Sequence, residues 1–180
     1  MKTLSFKFIV ICWLILSTYG CRKILFPSEK LTIQPTPYTG NQLRIDGYYF
    51  TETVSGSDYA PSYQIYFLYR NGVIFGGDNA LLSELSTREA EFMNGVYYAD
   101  SKDVRYCWGR FIIVDNSIVY EKWYPGADSW VYKSQGEILN DSTFHISSSR
   151  HGEDEFSPEN DLFHFKKLSP KPDSTNEFTN

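Results

Sequence analysis

Side chains that could take part in chemistry are concentrated in the last third of the sequence. The three histidines, His145, His151 and His164, are six and thirteen residues apart, and these spacings match no common zinc-binding pattern. The serines at 147–149 lack the sharp strand-to-helix turn that exposes a nucleophilic serine. These residues favour exposed positions on strands and turns over a catalytic site, so we predict that the protein is not an enzyme.

Two further candidates have simpler structural explanations. The acidic stretch HGEDEFSPEND, residues 151–161, offers carboxylate oxygens for calcium, but Pro158 interrupts it and the glycine spacing of a calcium-binding loop is missing. Cys107 lies in the strand-like run VRYCWGRFIIV, where a cysteine usually behaves as a small buried hydrophobic residue. We therefore expect neither a bound metal nor another cofactor.

The N-terminus has the pattern of a secretory signal peptide. Lys2 and Lys7 are followed by nine consecutive apolar residues, 8–16, and then by small or polar residues. A membrane-spanning helix would need about 20 apolar residues. We therefore predict that residues 1–20 direct export and are then removed.

Cys21 follows directly after the predicted cleavage point. The run Thr18-Tyr19-Gly20-Cys21 resembles the lipobox of bacterial lipoproteins. The resemblance implies that Cys21 is acylated, becomes the N-terminus and anchors the protein in a membrane of the cell envelope. Arg22, rather than an aspartate, follows the cysteine, which favours the outer membrane with the domain facing the periplasm.

Composition divides the remaining chain into a tether, one domain and a tail. Residues 21–41 contain the lipidated cysteine and a stretch rich in proline and threonine, which predicts a tether. Residues 42–168 have the length of one domain, and residues 169–180 predict a disordered tail. The net charge of −5, with no basic stripe, argues against nucleic acid as a partner.

Strand signals recur throughout the predicted domain. Runs of β-branched and aromatic residues alternate with turn sequences, of which Asn71-Gly72 is the strongest hairpin signal. The predicted strands are residues 43–54, 62–70, 73–76, 104–115, 118–124, 129–139, 142–149 and 162–168. One segment differs: Ser86 and Glu89 have capping-box spacing, and Gly95 suits a helix C-cap, so a short helix is predicted over residues 87–94.

Eight short strands joined mainly by hairpins predict an all-β fold, an antiparallel up-and-down barrel with one short helical insertion, because closure removes exposed sheet edges. Gly47-Tyr48-Tyr49 on the first strand resembles the G-x-W motif of bacterial lipocalin-like lipoproteins. The resemblance implies a small barrel that either holds an apolar ligand or is packed solid. The candidate ligand-lining residues are aromatic: Tyr49, Phe67, Trp108, Trp130, Phe144 and Phe165. We expect the two tryptophans of this set to share one core with Phe144 and Phe165.

Aromatic residues on the outer face offer a second binding mode. The chain has 14 tyrosines, whose hydroxyl groups need water or a partner. Tyr120, Trp123 and Tyr124 form the densest candidate contact surface, although cross-strand pairing also explains such rings. The sequence thus predicts a non-catalytic module that binds a small apolar ligand, a glycan or an envelope protein. A structural lipoprotein with a solid core is the alternative, and a hydrolase has less support.

Overall fold

A computed structural model describes residues 29–53, 62–76, 79–124 and 130–179, so the predicted signal peptide and Cys21 lie outside the described residues. The described chain is mostly β-structure. Its strands are β1 (Gly47–Thr53), β2 (Ser62–Leu68), β3 (Val73–Gly76), β4 (Ala80–Leu81), β5 (Trp108–Val114), β6 (Ser117–Trp123), β7 (Val131–Asn140), β8 (Thr143–His151) and β9 (Ser157–Lys167).

Eight of these strands close into an antiparallel barrel. The hydrogen-bonded order is β1-β9-β8-β7-β6-β5-β3-β2, and β1 pairs with β2 to complete the cylinder. The short strand β4 is an additional strand that pairs with the start of β2. The predicted fold class is therefore confirmed. The last strand is longer than expected, since it begins at Ser157 rather than at residue 162.

The hairpin predicted at Asn71-Gly72 joins β2 to β3. Gly72 has a φ of 78°, in the left-handed region, and its N–H donates to the carbonyl of Tyr69 at 3.0 Å. A Cβ atom at Gly72 would lie 2.3 Å from the carbonyl oxygen of Thr36. Both the backbone conformation and the close approach of residue 36 therefore require glycine here.

A helical insertion separates β4 from β5 and is longer than predicted. It contains α1 (Leu85–Asn94), α2 (Val96–Lys102) and two 3₁₀ turns, Leu82–Glu84 and Arg105–Cys107. Gly95 ends α1 with a φ of 71°, as the sequence predicts. The second 3₁₀ turn replaces the first residues of the strand predicted at 104–115. Within the described residues, no helix has the length and apolar character that crossing a bilayer would require.

Two hydrophobic clusters lie on opposite faces of the barrel wall. The inner cluster lies inside the barrel and includes Tyr49, Phe144 and Phe163. The outer cluster lies between strands β1–β3 and the helical insertion, where the ring centroids of Phe67 and Phe92 are 5.0 Å apart. Strands β2 and β3 are therefore buried on both faces, because the insertion covers their outer side.

Both predicted flexible ends pack on the barrel instead, as far as they are described. In the segment predicted as a tether, Leu31, Ile33 and Tyr38 are buried. In the segment predicted as a disordered tail, the Lys171 amine donates to the carbonyls of Ile45 at 2.6 Å and Leu68 at 2.9 Å. These contacts satisfy backbone acceptors at the barrel surface, so residues 29–41 and 169–179 are part of the folded domain.

Candidate ligand-binding site at the barrel mouth

The inside of the barrel is divided into a packed half and an open half. In the packed half, the rings of Phe144 and Phe163 stack with centroids 4.7 Å apart and planes at 12°. The ring of Tyr49 lies 5.0 Å from that of Phe144, and its hydroxyl donates to the carbonyls of Arg44 and Asp141. Side chains therefore fill this end of the barrel.

A cavity of about 460 Å³ opens at the other end, which we call the mouth cavity. Barrel strands contribute Tyr66, Lys122 and Tyr132 to its lining, and the helical insertion contributes Tyr97 and Cys107. The insertion thus forms one wall of the cavity. This volume lies within the range of small-molecule binding sites, which are commonly found in the mouths of β-barrels.

Lys122 is the cation of the mouth cavity. Ile118 and Tyr120 are buried and alternate with Lys122 along β6, so the three side chains share the inner face. The amine lies 4.5 Å from the ring centroid of Tyr66, a cation–π contact. In the described ranges, the amine has neither a hydrogen-bond acceptor nor a carboxylate partner.

Two glycines leave room for this lysine side chain. A Cβ atom at Gly76 would lie 1.9 Å from the Lys122 Nζ atom, and one at Gly109 would lie 2.6 Å from its Cγ atom. Gly109 is the cross-strand partner of Lys122 in the β5–β6 register. Any other residue at Gly76 would displace the amine from its position beside Tyr66.

The environment of the amine changes its protonation. Burial lowers the pKa of Lys122 to about 8, while the neighbouring Cys107 acts in the opposite direction. The amine is therefore still mainly protonated at neutral pH. The cavity thus holds a partly buried positive charge that has no fixed counter-ion among the described residues.

Aromatic side chains extend outward from the cavity lining, beginning at Tyr124 and Tyr132. The ring of His151 lies 4.8 Å from the rings of both Tyr124 and Tyr132, and 5.9 Å from that of Trp130. Tyr124 and Trp130 are 49% and 47% exposed. We call these four residues the aromatic rim. Such rings can stack on the flat face of an aromatic molecule or a sugar.

A polar network lies below the rim. The hydroxyl of Tyr132 contacts Ser149 and donates to Glu159 at 3.0 Å, and the Ser149 hydroxyl donates to the same carboxylate at 2.6 Å. Burial and the charge of Glu159 raise the pKa of Asp161. A register shift between Ile146 and Ser148 changes the alternation of β8 so that Ser149 joins this network.

The six residues predicted to line a ligand site are distributed over three places. Tyr49 and Phe144 are inside the packed half, and Phe165 is half-buried with its ring 5.4 Å from that of Tyr49. Phe67 and Trp108 face outward beneath the helical insertion. None of the six lines the mouth cavity.

The predicted core position of Trp130 is wrong. It was predicted to share a core with Trp108, Phe144 and Phe165, but its side chain is exposed at the aromatic rim. Trp130 directly precedes β7, so the alternation of that strand does not orient it. Trp108 and Phe144 also belong to different clusters, because they lie on opposite faces of the barrel wall.

The predicted outer contact surface is also wrong, because two of its three residues are buried. Tyr120 is 4% exposed because it points into the barrel. Trp123 is 5% exposed: its ring lies 4.3 Å from the Arg105 guanidinium, and its Nε1 atom donates to the carbonyl of Glu29. Tyr124 alone of the three is exposed. Trp123 and Tyr124 both line the mouth cavity, so two of these residues belong to a site that the sequence placed elsewhere.

Lys122 and Gly76 were missed as site residues, although the sequence contained a signal for the lysine. In IVYEKWY, Lys122 is two residues after Tyr120 and four after Ile118, so it falls on an otherwise apolar face. A lone lysine on such a face indicates either a pairing partner or a functional charge. Nothing in the sequence near Gly76 indicates that it approaches Lys122.

The histidines do not come together. His145 contacts the side-chain oxygen of Asn160 at 2.9 Å, His164 packs 6.1 Å from Phe50, and His151 belongs to the aromatic rim. Among the residues that the structure describes, no group of three histidine, cysteine or acidic side chains is arranged to hold a metal ion.

The site combines a ligand-sized cavity, one cation with no counter-ion among the described residues, and a group of aromatic side chains within a closed antiparallel barrel. Comparison with protein-family models, with curated proteins and with solved structures found no match to this chain. Any functional conclusion therefore depends on the chemistry of the site itself.

Proposed function

We propose that this chain is an exported, lipid-anchored protein whose barrel binds a small ligand non-covalently in the mouth cavity. The observation that carries the proposal is the half-filled barrel interior. Rings stack tightly at one end, whereas about 460 Å³ stays open beside Lys122 at the other. A protein with a purely structural role gains nothing from leaving a cavity around a charged amine, because both features reduce stability.

The lining favours a ligand with polar and flat parts over a wholly apolar one. Gln64, Asn79 and Ser101 bring amide and hydroxyl groups to the cavity, beside the rings of Tyr66 and Tyr97. Hydrogen bonds to such groups orient a ligand, while the rings contribute contact area. A wholly apolar ligand would displace water from these polar groups without forming hydrogen bonds to them.

The proposed anchor would hold the cavity close to the membrane. Glu29 lies at the mouth end, where its carboxylate accepts from the N–H of Val131 at 2.5 Å and its carbonyl accepts from Trp123. Only residues 22–28 separate Glu29 from Cys21. The eight steps from Cys21 to Glu29 span at most about 29 Å, so a lipid on Cys21 would keep the mouth within about that distance of the bilayer.

The proposal is tested by filling the cavity. We would titrate the unlipidated mature chain, residues 21–180 with Cys21→Ser, with the neutral fluorescent probe N-phenyl-1-naphthylamine. Saturable binding at one site is expected, together with its loss in Gln64→Trp, whose larger side chain occupies the cavity. Gln135→Trp is the matched control, because Gln135 lies on β7 but does not line the cavity.

The alternative of a structural protein with a solid core makes the opposite prediction. Absence of saturable binding, in a chain whose circular dichroism shows a folded β-protein, would refute the ligand-binding proposal and favour the structural role. Equal binding by wild type and Gln64→Trp would place the probe outside the mouth cavity and would also count against the proposal.

A further inference from the structure

Among its described lining residues, the mouth cavity contains one positive charge and no carboxylate to pair with it. Lys122 is the sole lysine or arginine among the cavity-lining residues of the described chain. Its amine lies 4.5 Å from the ring centroid of Tyr66, whereas the amine of Lys171, which is also partly buried, donates to two carbonyls. Lys122 therefore retains donors that can bind a ligand atom.

The surrounding backbone keeps the amine in this position. Gly76 and Gly109 both lack the Cβ atom that would collide with the lysine side chain. The inner face of β6 is otherwise filled by Ile118 and Tyr120, so the stem of the lysine continues a packed row and presents its amine at the base of the cavity. A charge held by packing in this way is oriented before a ligand arrives.

From this geometry we infer that the ligand carries a single negative charge, as in a carboxylate, which pairs with the Lys122 amine while a flat or apolar body contacts the aromatic rings. This inference rests on the proposed function, since it assumes that the mouth cavity binds a ligand. One ammonium group balances one negative charge. Glu159 and Asp161 lie further along the same barrel interior. Lys122 offsets one negative charge on the ligand, and these two acids would oppose a second one.

The protonation of the amine fits this role. Burial lowers its pKa to about 8, so it is charged at pH 7 and neutral at pH 9. An anionic ligand should therefore bind more weakly as the pH rises through this range. The titratable groups around the amine include the Cys107 thiol and the phenols of Tyr66 and Tyr132, and burial raises the pKa of both phenols above this range.

Two probes with the same body separate charge recognition from simple occupancy. 8-Anilino-1-naphthalenesulfonate carries one negative charge, and N-phenyl-1-naphthylamine is the same molecule without the sulfonate. We expect the unlipidated mature chain to bind the anionic probe about tenfold more tightly than the neutral one, a typical effect of one hydrogen-bonded charge. Lys122→Met should remove that preference and keep the affinity for the neutral probe, whereas the exposed Lys167→Met should behave like wild type.

Three further measurements test the inference if Lys122→Met does not fold. In wild type, affinity for the anionic probe should fall about tenfold between pH 7 and pH 9, while affinity for the neutral probe stays constant. Cys107→Ser should keep this pH dependence, because the lysine and not the thiol causes it. Gly76→Ala should reduce the preference for the anion by displacing the amine without removing its charge.

The possible failures are distinguishable. Binding of the neutral probe without any preference for the anion, or an anion preference that survives in Lys122→Met, would overturn this inference and leave the proposed function intact. Absence of binding for both probes would refute the proposed function and this inference with it.

Discussion

The carboxylate of Glu121 accepts hydrogen bonds from both the backbone N–H and the hydroxyl of Thr32, 89 residues earlier in the chain, at 2.6 and 2.5 Å. It also accepts from the N–H of Ile33 at 2.9 Å and lies 3.1 Å from the Lys133 amine. Burial raises the pKa of Glu121, but these donors together lower it below its usual value. One side chain on the outer face of β6 thus holds the N-terminal segment against the barrel.

Glu121→Ala should therefore be strongly destabilising. The substitution leaves the buried N–H of Ile33 and the partly buried N–H of Thr32 without their acceptor, so we expect the free energy of unfolding to fall by about 3 kcal/mol. Urea denaturation would measure this loss, and proteolysis near residue 30 should become faster. Glu137→Ala, at an exposed position on β7, is the matched control. A loss below about 1 kcal/mol in Glu121→Ala would show that the segment is held by other contacts.

Stability should increase between pH 7 and pH 9. Burial lowers the pKa of Lys122 and of Lys171 to about 8, below the usual value near 10.4 for an unfolded chain. In this range the unfolded state binds more protons than the folded state, so each lysine adds about 1 kcal/mol to the free energy of unfolding as the pH rises.

Urea denaturation at pH 7, 8 and 9 would test the pH dependence. Lys171→Met should lose about half of the increase. The buried tyrosines do not interfere in this range, because burial raises the pKa of Tyr66 and Tyr120 further above 10. A stability that stays constant or declines from pH 7 to pH 9 would contradict the assignment of both amines as buried bases.

Two aromatic substitutions should have very different effects on stability. Phe144 is fully buried and stacks on Phe163, so Phe144→Ala should cost about 3–5 kcal/mol. Trp130 is exposed at the rim, so Trp130→Ala should change stability by less than about 0.5 kcal/mol. Thermal or urea unfolding of the two variants would measure the difference. Similar losses for both would mean that Trp130 belongs to the core after all.

The proposed lipid anchor makes a prediction about Cys21. Cys21→Ala should abolish labelling by an alkyne analogue of palmitate and leave the protein either unprocessed or soluble in the envelope. Cys107→Ser is the matched control. Cys107 is buried in the folded domain, so its substitution should not affect labelling. If processed Cys21→Ala protein fractionates with membranes as wild type does, the lipid anchor is refuted.

Much of the fold could be predicted because it depends on local patterns. Asn71-Gly72 supplies the left-handed turn that its hairpin needs, and Gly95 ends α1 as expected. Alternation along β8 and β9 also accounts for Phe144 and Phe163 on the inner face. The same alternation failed beyond Ser147 in β8, where the register shifts and Ser149 turns inward, because a bulge leaves no clear trace in the sequence.

The ends and the site could not be predicted because they depend on distant partners. Residues 29–41 have the composition of a linker, and they are ordered by Glu121, which is far away in the sequence. Likewise, Phe67 and Trp108 lie on the outer face of the barrel, where a strand pattern alone predicts contact with solvent. They are buried because the helical insertion covers them. The mouth cavity also depends on the distance between Gly76 and Lys122, which lie on strands that are not adjacent.

The most direct test of ligand binding is native mass spectrometry of the full chain isolated from its own envelope in mild detergent. We predict that the wild-type protein carries one additional small molecule with an acidic group, and that Gln64→Trp, isolated in the same way, has lost it while Gln135→Trp retains it. Identical masses for wild type and Gln64→Trp, after correction for the substitution, would contradict the claim that the mouth cavity is a ligand-binding site.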